Sequence, residues 1–530
     1  MKKHLALIIF LSLLALWPFF RKGYFETHDG EWMIIRFTAF HQTLASGQFP
    51  VRFVDRLNNN YGYPLFNFVY PSPFYLAEIS KLFGFGFVDS IKIVFVLATI
   101  SSSIAMYWGL SQIFSKWASA AGAVVYLYSP YRFTDIYVRG SIGEVLAFGF
   151  LPIIFGCIIK IGKQRKTYLP ILAISIALLI ISHNLIAAIV VPFFIIFSVF
   201  LVKKNNRQIL SAFILGILIS AFFWIPAIYD LQFVSFLKIK MTEIPNHLVS
   251  ITDLIIPRWN YGPLPQSQGG FSVQIGLVSL AILTTSIYLQ IKSRRKIKLV
   301  NFLIISILVS AFLMTRYSSI FWQTIPKAEV IQYPWRLLFL ITLATAILCA
   351  YIVDYSKKKT VVAGSIIFFS FISTISYTRP VAFINRPDNY YATNEDTTAI
   401  FDEYQPLWVR EKPQDRANQK IEVGQDATIV SSKIEATNYQ AVIKASDKTT
   451  VRVNTIFFPG WKASVDGNDV DITYQDNDYG LMSFKLPKGE HKVIIKYGKT
   501  PVHLASEIIS LVALIATGCY FIYLWRKQNS

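Results

Sequence analysis

Residues 143–166 read GEVLAFGFLPIIFGCIIKIGKQRK. The segment 143–161 is apolar apart from Glu144 at its start and Lys160 near its end, and Lys163, Arg165 and Lys166 crowd the few residues after it. A helix of about 20 apolar residues crosses the hydrocarbon of a bilayer, and Lys and Arg gathered at one end of such a helix mark the cytoplasmic side. The same unit recurs along the chain. Apolar segments at 4–20, 88–114, 117–131, 143–161, 168–184, 187–202, 208–229, 271–291, 299–316, 335–353, 360–378 and 502–525 make about twelve candidate spans.

The basic clusters follow the alternation of these spans. Lys2 and Lys3 precede the first, and Lys116 separates the second from the third. Lys203, Lys204 and Arg207 follow the sixth; Lys292, Arg294, Arg295, Lys296 and Lys298 follow the eighth. Lys357 to Lys359 follow the tenth, and Arg526 and Lys527 the last. All fall on one side, which predicts both termini in the cytoplasm. The loops 21–87, 132–142, 230–270, 317–334 and 379–501 then lie outside the cell membrane, and chemistry is expected there. The first apolar run ends at Trp17-Pro18-Phe19-Phe20 without a small-residue cleavage site, so it reads as an uncleaved span.

Composition agrees. The 530 residues are 54% hydrophobic and 15% charged, against about 25% charged in soluble domains. A net charge of +20 would suggest nucleic acid in a soluble protein. Here the basic residues sit between apolar runs, so membrane topology accounts for them and a nucleic-acid partner is excluded. Three cysteines, Cys157, Cys349 and Cys519, are too scattered for a disulfide framework or a zinc site. P-loop, HExxH and CxxC motifs are missing from the sequence, and the span centres hold almost no charge, which argues against ion-coupled transport.

Residues 379–501 change character. Short alternating segments appear at 439–445, 449–454, 481–485 and 491–497, with turn signals at Asp466-Gly467 and Pro487-Lys488-Gly489. They predict an extracytoplasmic β-sandwich domain. The chain thus divides into a transmembrane domain at 1–378 with external loop 21–87, a sandwich at 379–501, and a final helix with its cytoplasmic tail at 502–530. Within the first loop, Met33, Phe37, Phe40 and Leu44 at helical spacing, opposite Glu31, Thr38 and Gln42, predict an amphipathic helix lying on the membrane surface. Pro71 or Pro73 opens a second, short interfacial helix.

Candidate site residues lie on the predicted outer side. His28-Asp29-Gly30 follows the first span, where an external carboxylate suits a general base or a metal ligand; an N-cap for the next helix is the structural alternative. Arg132, Asp135, Arg139 and Glu144 share one short loop. Their guanidinium groups suit phosphate, or internal ion pairs anchor the loop. Arg336 opens the tenth span as a phosphate ligand or a snorkelling anchor. Arg258 and Trp259 are candidates for covering a substrate groove, with interfacial anchoring as the alternative, and Ser182-His183-Asn184 is either a polar wall of the same cavity or a tight turn.

From His28-Asp29-Gly30 through Tyr63-Pro64, Tyr70-Pro71, Tyr131-Arg132, Arg139-Gly140, Glu144 and Pro334-Trp335-Arg336, the chain resembles the C-type (GT-C) membrane glycosyltransferases, which include oligosaccharyltransferase and protein O-mannosyltransferase. It is most similar to a bacterial membrane family labelled "6-pyruvoyl-tetrahydropterin synthase-related", although nothing in the chain suggests pterin chemistry. The segment Phe457-Phe458-Pro459-Gly460-Trp461-Lys462-Ala463, with Leu486-Pro487-Lys488-Gly489-Glu490-His491, resembles the external domain of proteins that glycosylate envelope polymers.

The resemblance implies an all-α bundle of GT-C type and a polyprenyl-phosphate sugar donor with a glycan or envelope-polymer acceptor. It also implies an acidic residue of the first loop, at the position of Asp29, that is catalytic or binds a divalent metal such as Mg or Mn. Many members carry a paired acidic signature there; here a single Asp stands between His28 and Gly30. On this reading Asp29 and His28 are catalytic. Arg139, Arg336, Arg258, Glu144 and His183 serve the lipid phosphate or substrate, and Tyr63, Tyr70 and Trp259 stack on sugar or prenyl units. The competing expectation is a transporter or scaffold for lipid-linked saccharides that does no chemistry.

Overall fold

A computed structural model describes residues 2–202, 204–239, 244–263, 270–293, 296–324 and 331–529. Lys203, Arg294 and Arg295 of the basic clusters lie outside the described residues, as do parts of the predicted loops 230–270 and 317–334. The protein is mostly helical, with several long apolar helices and a β region near its C-terminal end.

Among the described residues, six helices are long and apolar enough to cross a bilayer, including Phe87–Leu110, Ile142–Gly162 and Pro334–Tyr355. A seventh segment, Asn206–Ile219 with Ala221–Phe233, passes only as a pair bent by 64°. Tyr168–Ser182, Leu277–Lys292 and Lys298–Met314 are apolar but shorter, and the first and third predicted spans form the still shorter helices Lys2–Ala15 and Lys116–Leu127. Length alone therefore supports fewer crossings than the about twelve read from hydropathy. The bend has a local cause. Ser220 turns its hydroxyl onto the Gly216 and Ile217 carbonyls, and the Phe222 amide donates to Ser510 Oγ of the last helix at 2.7 Å. A kink in an apolar helix persists where such a partner takes up the freed backbone group.

The two ends of the bundle differ. Lys3 lies over the Trp117 ring, Lys163 donates to the Gln112 carbonyl, Asn205 to the Ile161 carbonyl, and Asp354 accepts from both Ser115 N and Lys359. These contacts bring Lys3, Lys163 and Lys359 of the basic clusters to one end. Helices Ile142–Gly162 and Pro334–Tyr355 run from there about 30 Å to the opposite end, where the first loop and the β region sit.

The β region is a sandwich. Its five-stranded sheet runs Ala427–Glu435, Asn438–Ala445, Gly489–Tyr497, Trp461–Val465, Asn468–Val470 in spatial order. The facing sheet holds Ile421–Val423, Thr449–Ile456 and Leu481–Leu486. Alternate residues such as Tyr439, Ala441 and Ile443 point inward, as period-two patterning requires. Asp466-Gly467 is the expected two-residue hairpin, with φ of 51° and 86°. The sandwich is not separate from the first loop: Phe53 and Phe68 enter its core, and Phe53 packs edge-on against Trp461 at 5.4 Å. Tyr24–Phe25 pairs with Phe383–Ile384 in a two-stranded ribbon.

The first loop forms helices Gly30–Ala45 and Ser72–Leu82. The first does not lie with one face free. Thr38, expected on the polar face, is fully buried and donates to the Tyr391 carbonyl at 2.9 Å, because the helix Asp388–Ala392 covers that face.

Candidate active site

The turn at residues 27–30 is pinned against the loop that precedes the helix Ile142–Gly162. His28 N donates to the Val138 carbonyl at 2.9 Å and Asp29 N to the Arg139 carbonyl at 2.8 Å. Gly140, at φ +66°, makes this approach feasible: a Cβ there would stand 2.8 Å from Gly30 N. The capping role open to Asp29 is taken by Thr27, whose Oγ1 accepts from Gly30 N at 2.9 Å. The Asp29 side chain makes no capping bond. It has no hydrogen-bond or ion-pair partner among the described residues.

Asp29 and His28 face a cavity of about 540 Å³ that Arg139, Trp32, Phe271 and Trp335 also line. This is the size of a small-molecule site, about 300–1,000 Å³. His28 Nε2 lies 2.7 Å from the Tyr261 carbonyl. That contact assigns the proton to Nε2 and leaves Nδ1 with a free lone pair. Burial lowers the His28 pKa from its ordinary value, opposed by the Tyr261 hydrogen bond and by Asp29, so the ring is neutral at neutral pH.

Beneath the cavity lies a closed polar layer. Thr134–Arg139 is a π-helical turn, a form that concentrates at functional sites, and it sets Arg139 against Asp135. Arg139 Nη1 is 2.7 Å from Asp135 Oδ1 and 2.7 Å from Glu144 Oε2. Glu144, 0% exposed, also accepts from Tyr131 at 2.9 Å and from Arg336 Nε at 3.2 Å. Arg336 spends its Nη1 on the Ile331 carbonyl and Gln332 Oε1. His183 Nδ1 accepts from Ile186 N, which points Nε2–H toward Glu144 at 3.6 Å, and Tyr70 packs on the ring at 4.9 Å. Two carboxylates and two guanidinium groups balance. Pairing of this kind offsets the cost of desolvating the four charges. Of the two arginines only Arg139 also lines the cavity.

The structure therefore brings Asp29, His28 and Arg139 to one cavity, with Glu144, Arg336, His183 and Tyr70 behind it. Three sequence candidates stand elsewhere. Tyr63 is fully buried and its hydroxyl accepts from Tyr404 N at 2.9 Å, joining the first loop to the segment before the sandwich rather than reaching a sugar. Trp259 stacks on Tyr377 at 4.4 Å. Arg258 has a side chain 54% exposed and stands 4.0 Å from Asp253. The Arg132–Asp135 pair is not formed: Arg132 donates to Ser102 and lies over the Tyr126 and Phe148 rings. Sequence reasoning passed over Trp335, Phe271 and His247; Trp335 adjoins Arg336 and was legible, whereas His247 carries no local signal. A second cavity, of about 550 Å³, lies by Arg56 and Arg416. There Arg416 is paired with Glu395 and Arg56 is bonded to backbone carbonyls.

A family model described as "6-pyruvoyl-tetrahydropterin synthase related domain; membrane protein" matches residues 66–381. The chain belongs to this membrane-protein family. The matched segment carries the buried layer and Trp335; His28, Asp29 and the sandwich lie outside it. A protein of Lactococcus lactis subsp. cremoris (strain MG1363), described as uncharacterized, is 23% identical over 241 residues, which span 43% of this chain and 39% of that protein. Among solved structures, the chain is similar to the arabinofuranosyltransferase AftD from Mycobacteria (TM-score 0.45, 14% identity, 74% of this chain and 28% of that one). It is also similar to the Archaeoglobus fulgidus oligosaccharyltransferase in its apo form (TM-score 0.44, 13% identity, 75% of this chain and 60% of that one). The chain thus spans well under two thirds of the Lactococcus protein and of AftD, and 60% of the oligosaccharyltransferase.

A divalent metal at this site would need several oxygen or nitrogen ligands converging on one point. Glu26, His28 and Asp29 all line the cavity. Among the described residues, however, no three His, Cys, Asp or Glu side chains converge as a ligand set, and the Nε2 of His28 is already committed. Among the described residues, the side chains present do not complete a metal's coordination shell.

Proposed function

We propose that this protein is a membrane glycosyltransferase that moves a sugar from a polyprenyl-phosphate donor to a cell-envelope acceptor. The observation that carries the reading is the Asp29 carboxylate, unpartnered among the described residues, which lines one small-molecule cavity with neutral His28 and Arg139. The cavity opens at the end of the bundle opposite the basic clusters, which by the positive-inside rule is the extracytoplasmic side. The sandwich lies on that side, and both termini are cytoplasmic. The GT-C resemblance of the sequence around Asp29 supports the same class.

The chemistry is set by the groups present. An acceptor hydroxyl oxygen attacks the anomeric carbon as the bond from that carbon to the phosphate oxygen breaks. Asp29 takes the hydroxyl proton, with His28 Nδ1 as the adjacent neutral acceptor. The polyprenyl phosphate leaves with the bonding electrons, and Arg139 offsets its charge. Glu144 and Asp135 do not touch substrate. They hold the Arg139 guanidinium at the cavity wall, a positioning role in which preorganised charge avoids reorganisation during the reaction.

The test reconstitutes the full chain in vesicles with host membrane extract and radiolabelled polyprenyl-phosphate sugars. Label should leave the lipid with wild type and slow by about 100- to 10,000-fold with Asp29→Asn, with or without chelator. Equal transfer by both forms overturns the reading. Loss of transfer in chelator alone would make Asp29 a metal ligand instead of the base.

A further inference from the structure

The cavity edge formed by Glu26, Tyr261 and Val381 continues onto a surface strip made by residues 17–26 and 377–384. The two segments are joined along their length. Trp17 Nε1 donates to Thr378 Oγ1 at 3.1 Å, Glu26 N donates to the Ala382 carbonyl at 2.9 Å, and Tyr24–Phe25 pairs with Phe383–Ile384. The Tyr261 hydroxyl donates to the Arg379 carbonyl. The strip stands where the apolar helices Lys2–Ala15 and Lys359–Thr374 end, opposite Lys3 and Lys359.

Two properties coincide on it. Trp17, Phe20, Val381 and Phe383 are large apolar side chains left exposed, Phe20 by 64%. Arg21, Lys22 and Arg379 are exposed as well, and none of the three has an ion-pair partner among the described residues. The Arg21 guanidinium lies over the Phe383 ring at 4.6 Å and over the Trp17 ring at 5.7 Å. Lys92 reaches the Arg21 carbonyl at 2.7 Å, but its charge is taken by Asp89 at 3.2 Å. Glu26 is the single carboxylate in the two segments, so the strip is net positive. The positive-inside rule accounts for the basic clusters at the other end of the bundle and predicts few cations here.

We infer that this strip is a docking surface for the headgroups of anionic phospholipids in the leaflet at this end of the bundle. The inference goes beyond the transferase reading and does not depend on it. The mixture of side chains selects the partner. A soluble anion would satisfy the cations and leave Trp17, Phe20 and Phe383 in water. A zwitterionic lipid would cover the rings but bring no net charge to the cations. An anionic phospholipid does both: its acyl chains cover the apolar side chains, and its phosphate meets Arg21, Lys22 and Arg379 at headgroup level, where aromatic rings and long basic side chains settle. Each Lys or Arg near an anionic lipid surface strengthens the attraction by about fivefold. Because Val381 and Glu26 belong to both the strip and the cavity edge, the bound headgroups border the cavity mouth.

The test places a fluorophore on the full chain at Phe20→Cys in a Cys519→Ser background and reconstitutes it in phosphatidylcholine vesicles. Nitroxide-labelled phosphatidylglycerol or phosphatidylcholine is then added as a short-range quencher, so only lipid at the strip is read. Phosphatidylglycerol should quench at lower content, with a relative affinity of about fivefold for each cation engaged. Arg21→Gln, Lys22→Gln and Arg379→Gln should each lower that preference by about fivefold, Arg21→Lys should keep it, and high salt should shrink it. Thermal unfolding midpoints identify any labelled variant that has failed to fold, and a reporter at Val381→Cys then replaces it. Equal quenching by the two lipids, or a preference unmoved in all three glutamine variants, overturns the surface. A preference abolished by inorganic phosphate at constant ionic strength would make the strip a free-phosphate site and also overturn it.

Discussion

The cavity wall and the layer directly beneath it are built from the same residue types and obey opposite rules. In the layer, each charged group has an opposite partner: Glu144 meets Arg139 and Arg336, and Asp135 meets Arg139. On the wall, the Asp29 carboxylate and His28 Nδ1 have no partner among the described residues. A buried charge left alone costs several kcal/mol, so the pairing of charges in the layer is what keeps the fold. Unsaturated groups against empty volume are kept for a ligand. Arg139 belongs to both regions, and through it the layer holds the wall in place.

The comparison is broken most severely at Glu144. Glu144→Gln leaves Arg139 and Arg336 buried against a neutral amide and should cost about 3–5 kcal/mol of stability, read as a lowered thermal midpoint in detergent. Full stability with lost transfer would instead put Glu144 in contact with substrate.

A pH profile separates His28 from the layer. Burial favours its neutral form, so its folded pKa lies below the ordinary value of about 6.5. The stability this contributes is fully present above that ordinary value and is lost as pH falls through the lowered pKa. The expected kcat/KM is therefore flat as pH is lowered to about 6.5. It should fall only below that, by about tenfold per pH unit, and His28→Asn should abolish that limb. A limb centred above the ordinary histidine value would contradict the burial argument.

Tyr63→Phe sharpens the contrast from outside the site. It strands the Tyr404 amide and should cost about 1–3 kcal/mol, with transfer per folded molecule unchanged. Arg258→Ala is the smallest change. Its pair with Asp253 is long and its own side chain is 54% exposed, so the pair is worth about 0–1 kcal/mol, and neither stability nor transfer should move measurably.

Much of the fold was legible because lipid imposes a simple rule: apolar length and basic flanks announce helices one at a time. Each predicted span is helical over most of its length, except that 271–276 of the eighth precede the helix Leu277–Lys292, and the short ones, such as Lys116–Leu127, and the bend at Ser220 depend on partners distant in sequence, Ala346 and Ser510 among them. The sandwich strands were legible from alternation. The entry of Phe53 and Phe68 into the sandwich core was not, because nothing local marks a loop residue as another domain's core.

At the site, Asp29, His28 and Arg139 were legible as polar groups just beyond apolar helices. The pairing that turns Arg336 inward was not, since it joins Glu144 to a residue 192 positions away. His247 was invisible for the same reason: only the tertiary fold sets it against Tyr333 and Trp335.

The proposed chemistry stands or falls on where the donor binds. The most direct measurement is a cryo-EM structure of the Asp29→Asn protein with a polyprenyl-phosphate sugar bound. The phosphate should lie within hydrogen-bond reach of Arg139 and the anomeric carbon beside residue 29, with Glu144 still paired beneath. A donor lodged at the basic end of the bundle, or on the sandwich with the cavity empty, would contradict it.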